Sequence, residues 1–298
     1  MEKGHVSIME LWLLYAAGAA VFAALTTILA KIGIKDVDSH LATAIRTVVV
    51  LAFAWLMVFR AGSQGGIAYI QGSTWVLLIL SGLATGGSWL CFFRALQLGT
   101  VNKVVPIDKS STILTMLLAF IILREPLGLI TAIGMVLIGI GTWLMLELKK
   151  DTSGDEKSDK SWLLFAVLAA VFASLVAIFG RMGVADMDAN LWTAISTMVV
   201  VPLSWLMVFI VGSQKKIRAV NLKSWVFLIL SGVATGASWL FFYHALKIGH
   251  AMHVVPIDKL SIVLTMAFAR LFLGERFSKR SVVGLVVLTV GTLLPVFL

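Results

Sequence analysis

The sequence predicts an all-α integral membrane protein, with ten transmembrane helices arranged as two inverted five-helix repeats. Composition is the first observation. Of 298 residues, 60% are hydrophobic and 13% charged, against about 25% charged in a soluble domain. A helix of about 20 apolar residues crosses a bilayer, and such windows fill most of the chain. The second observation is a repeat with a fixed offset, and the third is the way loop charges differ between its copies. The excess of Lys and Arg sits between apolar windows, where it is a topology signal and not a nucleic-acid footprint. The lipid bilayer is therefore the expected partner. Cys91, the only cysteine, allows no intrachain disulfide and fixes no redox compartment. The first apolar run, 11–30, is too long for a signal-peptide core, lacks a basic lead-in and has an internal counterpart.

Taken in order, the windows give spans at 11–30, 41–59, 75–96, 104–123 and 127–146. Adding 150 to each number finds a second set without a gap. Trp12 aligns with Trp162, Gly62 with Gly212, Trp89 with Trp239 and Asp108 with Asp258; roughly half of the aligned positions are identical. The predicted units are 1–148 and 161–298, joined by a polar linker at 149–160, "KKDTSGDEKSDK". Five spans per unit is odd, so the second unit enters the membrane in the opposite sense. Loop charges agree. "GSQGGIAYIQGST" after span 2 has no base, whereas its counterpart "GSQKKIRAVNLKS" carries Lys215, Lys216, Arg218 and Lys223. Conversely, Lys35 becomes Ala185 and Lys103 becomes His253. Because cytoplasmic loops collect Lys and Arg, the linker is expected in the cytoplasm and both termini outside the cytoplasmic (inner) membrane. Inverted repeats of this kind are a mark of secondary transporters, with the substrate site near midplane.

The paired segments "SGLATGGSWLCFFRALQLG…VVPIDKSSTILTMLLAFIILREPL" and "SGVATGASWLFFYHALKIG…VVPIDKLSIVLTMAFARLFLGERFS" resemble the EamA-type branch of the drug/metabolite transporter superfamily. The similarity covers both units. It is strongest for a branch with the Pro-Ile-Asp-Lys element and a following Gly-Glu, here Gly274-Glu275, with Arg124-Glu125 departing from the pattern in the first copy. The resemblance implies a carrier that opens alternately to each side, with a cavity lined by spans 1, 3, 4, 6, 8 and 9.

Ionisable groups inside hydrocarbon are costly and therefore candidates for function. In the element "VVPIDK", at 104–109 and 254–259, Pro106 suits the first turn of a helix. Asp108 would then favour the positive end of its dipole, and Lys109 would reach for the headgroups. The competing reading places Asp108, Lys109, Asp258 and Lys259 beside a substrate path. On the span boundaries above, the two elements lie about 16 Å apart along the membrane normal, too far to pair. The nearer partners at similar depth are Arg94 for Asp108 and His244 for Asp258. Asp258 and His244 are accordingly the proton-coupling candidates, since imidazole titrates near neutrality. Arg46, whose counterpart is Ser196, gives the first copy a base that the second lacks. With Arg94, Lys103 and Lys109 against Asp108 it leaves the cytoplasmic half of that copy net positive, which favours a carboxylate or phosphate on the substrate, and Arg94 is the leading candidate to bind it.

Ser81, Thr85 and Ser88 share a helix face with the Gly82-x-x-x-Gly86 pattern, repeated at Ser231, Thr235, Ser238, Gly232 and Gly236. Close helix packing is the leading reading. Trp89 and Trp239 lie deep enough either to pack or to stack on a substrate. Glu125 and Glu275 read as turn or cap residues. His250 and His253 lack a third ligand, no enzyme motif is present, and no metal or cofactor is expected. The reading is a carrier that exports a small anionic or zwitterionic metabolite, with proton coupling as a rider. Its rivals are a flippase of a lipid-linked headgroup and a membrane scaffold or sensor without transport. A homodimer is compatible with the sequence.

Overall fold

Hydropathy and the glycine and aspartate punctuation translate directly into helices in the computed structural model, which describes residues 8–145, 161–185 and 187–297. The expected linker 149–160 lies outside these residues. The first part contains α1 (Ile8–Gly33), α2 (Ser39–Ala61), α3 (Gly72–Leu98), α4 (Val101–Lys109), α5 (Ser111–Ile122) and α6 (Leu129–Met145). The second contains α7 (Ser161–Val184), α8 (Ala189–Val211), α9 (Leu222–Ile248), α10 (Ala251–Lys259), α11 (Ser261–Leu273) and α12 (Lys279–Phe297). Seven stretches have the length and hydropathy to cross a membrane: α1 from Leu11, α2, α3, 103–122 across α4 and α5, α7, α8 and α9. α6, at 17 residues, is apolar but shorter. The chain is a multi-pass membrane protein.

Local chemistry sets the helix ends. The Asp38 carboxylate accepts hydrogen bonds from the His40 and Leu41 amides at the start of α2, and Asp188 does the same for Asn190 and Leu191 at the start of α8. Gly62 and Gly212 end those helices at φ 68° and 75°, the left-handed conformation that glycine adopts without a steric cost.

The fourth span differs from its expected form. α4 starts at Val101, not 104, and stops at Lys109; one turn residue, Ser110, whose amide still bonds Pro106 O at 3.0 Å, separates it from α5. Pro106 is therefore inside α4, and Asp108 and Lys109 close its C-terminal end. They do not cap its start. At 1.5 Å per residue the pair sits about 10 Å deeper along the helix than its first residue. Hydroxyls satisfy carbonyls around the break: Ser110 Oγ donates to Ile107 O at 2.7 Å and Thr112 Oγ1 to Lys109 O at 2.8 Å.

Small residues let the helices approach. α1 lies antiparallel along α9, with Gly18 against Phe241 and Gly33 against Leu228. α3 lies antiparallel along α7, with Gly87 against Phe172 and Gly99 against Trp162. These are the same contact with the halves exchanged. α6 and α12 cross backbone to backbone: a Cβ on Gly141 would stand 2.5 Å from the Leu288 nitrogen, and one on Gly134 2.6 Å from the Gly291 carbonyl. Residue numbers rise along one helix as they fall along the other, so this equivalent pair is antiparallel. α1 and α3 end together, because Lys31 Nζ donates to Leu96 O and Gly99 O at 2.6 and 2.7 Å. α7 thus runs against α1.

Candidate functional site

The unit-exchanging contacts leave a central cavity of about 140 Å³, walled by α1, α2, α3, α4, α7, α9 and α10. Its polar groups come from both halves. Arg46, Lys109, Lys259, Asp108 and Asp258 all line it, together with Trp89 and Trp239. Three cations thus face two carboxylates. Asp258 lies within the electrostatic reach of Lys109, Lys259 and Asp108, and Lys109 is 3.8 Å from Asp108. The two Asp-Lys elements, expected to lie too far apart to interact, share one site. The physical reason is the longer entry of α4 and α10: each carries its charges inward before the helix breaks, so the inward ends converge.

Arg46 is the best-defined group. It reaches the cavity from α2 and is only 1% exposed. Nε donates to Ser231 Oγ at 2.9 Å and Nη2 to Thr235 Oγ1 at 2.7 Å. The guanidinium lies over the Phe93 ring, 3.9 Å from its centroid, a favourable cation–π placement. Nη1 has no hydrogen-bond partner among the described residues, and no carboxylate pairs with Arg46 there. The reach to Ser231 and Thr235 depends on glycine: a Cβ on Gly232 would stand 2.8 Å from Val49 Cβ and 3.1 Å from the Arg46 carbonyl. Gly236 likewise admits Phe53. The small-residue pattern and the Ser/Thr face, read from sequence as packing, hold two helices close and also fix a cation.

The Trp89 and Trp239 rings meet edge-on at 5.8 Å and form an aromatic wall shared by the two halves. Arg94 and His244 are placed elsewhere. Arg94 Nη1 donates to Gln97 Oε1 at 2.6 Å, and Gln97 ties α3 to the Val37 carbonyl. His244 Nδ1 is 2.7 Å from Leu240 O, and its ring lies 5.3 Å from that of Tyr15. Neither is part of the cavity wall. Residues at equal depth on neighbouring helices need not share a face. Two holders of Arg46, Phe93 and Thr235, did not stand out as such in the sequence. The available signal was asymmetry: Arg46 replaces Ser196 just where Phe93 replaces Tyr243.

Glu125 and Glu275 are more than turn residues. Each follows a residue in the left-handed conformation, Arg124 at φ 54° and Gly274 at φ 67°, which turns the carboxylate back toward the helices. Glu125 is 7% exposed and accepts from the Ala251 and Met252 amides at 3.2 and 3.0 Å. Glu275 accepts from the Val101 amide at 3.0 Å. Each therefore caps the broken helix of the other half.

Among known proteins, an uncharacterised transporter in the cobO 3′ region of Sinorhizobium sp. is 42% identical over 135 residues, 45% of this chain and 96% of that protein. An uncharacterised transporter of Archaeoglobus fulgidus is 24% identical over 95% of this chain and 96% of its own length. One solved crystal structure of a protein superposes with a TM-score of 0.74 over 95% of both chains, at 16% identity, and is similar in fold. The profile of the EamA-like transporter family matches residues 10–147 and again 160–297. With the two matches together covering nearly the whole length, the chain belongs to the EamA-like transporter family of the drug/metabolite transporter superfamily and is a membrane transporter of small solutes, not an enzyme.

Proposed function

We propose that the protein is a secondary carrier in the cytoplasmic membrane, built of ten spans in two inverted repeats, which exports a small organic anion or zwitterion by alternating access. Arg46 carries this reading. A permanently charged guanidinium at the centre of a membrane bundle costs at least about 2.5–3.5 kcal/mol, and here it has two neutral hydroxyls, an aromatic face and one unused N–H edge. That edge suits a carboxylate or similar oxyanion, which gains a charge-assisted hydrogen bond in a water-poor site. The surplus cation among the cavity charges favours the same class.

The antiparallel seating of α1 against α7 and of α6 against α12 supports an inverted repeat. Under that topology Lys31, Lys35, Arg94, Lys103, Lys215, Lys216, Arg218, Lys223, Arg270, Arg276, Lys279 and Arg280 gather at one end, and Arg60, Arg124, Arg181 and Lys247 at the other. The first end is the cytoplasmic one by the positive-inside bias, and its charge draws anions inward from the cytoplasm. Proton coupling rests on Asp258, a cavity carboxylate flanked by two lysines, with His244 removed from the path. In proteoliposomes, Asp258→Asn should then insert and bind but lose the pH dependence of flux. A thermal-shift screen of metabolites against the wild type and Arg46→Ala tests the main reading. Carboxylate-bearing solutes should stabilise the wild type and not the variant. Equal shifts in both, or stabilisation by cations alone, would remove it.

A further inference from the structure

We propose that Glu125 and Glu275 are the latches of two opposed gates, each shutting one end of the cavity by tying its own half to the start of a broken helix in the other. This rests on the alternating-access reading but concerns residues outside the cavity wall.

The two clusters are built alike. At one end the turn after α11 brings Glu275 to the Val101 amide, the first residue of α4. Lys31, from the end of α1, lies within the electrostatic reach of Glu275 and holds the Leu96 and Gly99 carbonyls at the end of α3. At the other end the turn after α5 brings Glu125 to Ala251 and Met252, the first residues of α10. Arg181, the counterpart of Lys31, stands with Nε 3.8 Å from Glu125 and donates from Nη1 to Leu246 O at 2.9 Å. His250 Nδ1 is 3.7 Å from the same carboxylate.

Three features make these latches and not ordinary caps. Every contact of either glutamate described above, apart from its own turn, crosses between the halves. The clusters sit at opposite ends, because α1 and α7 run in opposite directions. And each grips the outer end of a nine-residue helix whose inner end carries the cavity charges, Asp108 and Lys109 or Asp258 and Lys259. Parting the halves at one end breaks one carboxylate's hydrogen bonds and leaves the other cluster intact. Released, α4 or α10 can swing about the interruption at Ser110 or Leu260. The outer cluster, under the proposed topology, is that of Glu125, Arg181 and His250.

The test uses a Cys91→Ser background with a single cavity probe, Ala23→Cys or its counterpart Ala173→Cys, both in the cavity wall. Labelling by a membrane-impermeant maleimide is measured from each side of oriented vesicles. Glu125→Ala should raise labelling at least fivefold from the end that carries His250, and Glu275→Ala should raise it from the opposite end. Hydrogen exchange provides a second readout. Ala251 and Met252 should lose protection in Glu125→Ala while Val101 keeps it, with the reverse in Glu275→Ala. Where an alanine variant fails to fold, Glu→Gln, which retains shape and one acceptor, should give the same sidedness at smaller size. Labelling that rises from the same end in both variants, or from neither, overturns the proposal. So does joint loss of protection at both helix starts, the mark of a merely structural role. Sided labelling does not depend on solute flux, so absence of transport in the wild type would fail the carrier reading and leave this one standing or falling separately.

Discussion

Two faces of the cavity region stand at equivalent places in the two halves, and chemistry has been invested in only one. On the first, Arg46 lies over Phe93 and donates to Ser231 and Thr235. On the second, the same places hold Ser196, Tyr243, Ser81 and Thr85. Ser196 bonds back to its own helix, at 3.2 Å from Thr193 O. Tyr243 is fully buried, edge-on to Trp192 at 6.0 Å, with its hydroxyl near that of Ser81. A neutral phenol and a large indole fill what a guanidinium fills opposite. The scaffold is shared; the charge is not. The paired Asp-Lys elements recur in both halves of the cavity wall, whereas the guanidinium occurs in one half alone.

The largest expected effect separates the faces most sharply. Arg46→Ala should weaken binding of an anionic solute by about 10- to 100-fold, since a charge-assisted bond is worth about 1.5–3 kcal/mol. Ser196→Ala should change it less than about twofold. Arg46→Lys should not rescue, because an ammonium cannot keep the Ser231 and Thr235 bonds and still present an edge. Equilibrium dissociation constants by calorimetry decide both, and equal losses on the two faces would break the comparison.

Next come the glycines beneath each face. A Cβ on Gly82 would stand 2.5 Å from Val199 Cβ, tighter than the 2.8 Å from Gly232 to Val49 Cβ. Gly82→Ala should therefore destabilise more, within the roughly 1–3 kcal/mol of an overpacked contact. Gly232→Ala alone should also weaken anion binding, because it displaces the helix that carries Arg46. Thermal melts and binding, measured together, sharpen the distinction between packing and function.

A smaller contrast lies in the turns. Arg124 holds a left-handed backbone that costs an L-residue about 1–2 kcal/mol, whereas Gly274 takes it freely. Arg124→Gly should raise stability by about 0.5–1 kcal/mol, and Gly274→Arg should lower it. The smallest concerns the helix caps. Asp188→Ala should cost about 1 kcal/mol. Although burial opposes ionisation there, hydrogen bonds from Ser63, Leu191 and Asn190 prevail and hold the Asp188 carboxyl below its ordinary 3.8. Its contribution is therefore full above that value and fades as pH falls through the lowered one, so the melting difference from the alanine variant should vanish in acid.

Much of this was legible beforehand. Hydropathy windows located the helices because a bilayer demands about 20 apolar residues whatever the tertiary contacts. The offset of 150 exposed the repeat because both halves solve the same packing problem. What failed was depth. The run "VVPIDK" looks like a helix start because Pro and Asp favour first turns, yet the helix begins three residues earlier, where Glu275 of the distant half caps it. Nothing local announces that bond. The same blindness paired Arg94 with Asp108: equal depth is readable from a sequence, shared direction is not. Arg46 was visible as a lone base without a counterpart, but its grip on Ser231 and Thr235 joins positions 185 and 189 residues apart.

The crossed caps have a consequence for biogenesis. Because the start of α4 is completed by a residue of the second half, the amino-terminal helices can be threaded into the bilayer early yet remain chemically unfinished until ribosome and translocon have delivered that half as far as Glu275. Maturation should then be abrupt, with the turn that carries Glu275 sealing the first half.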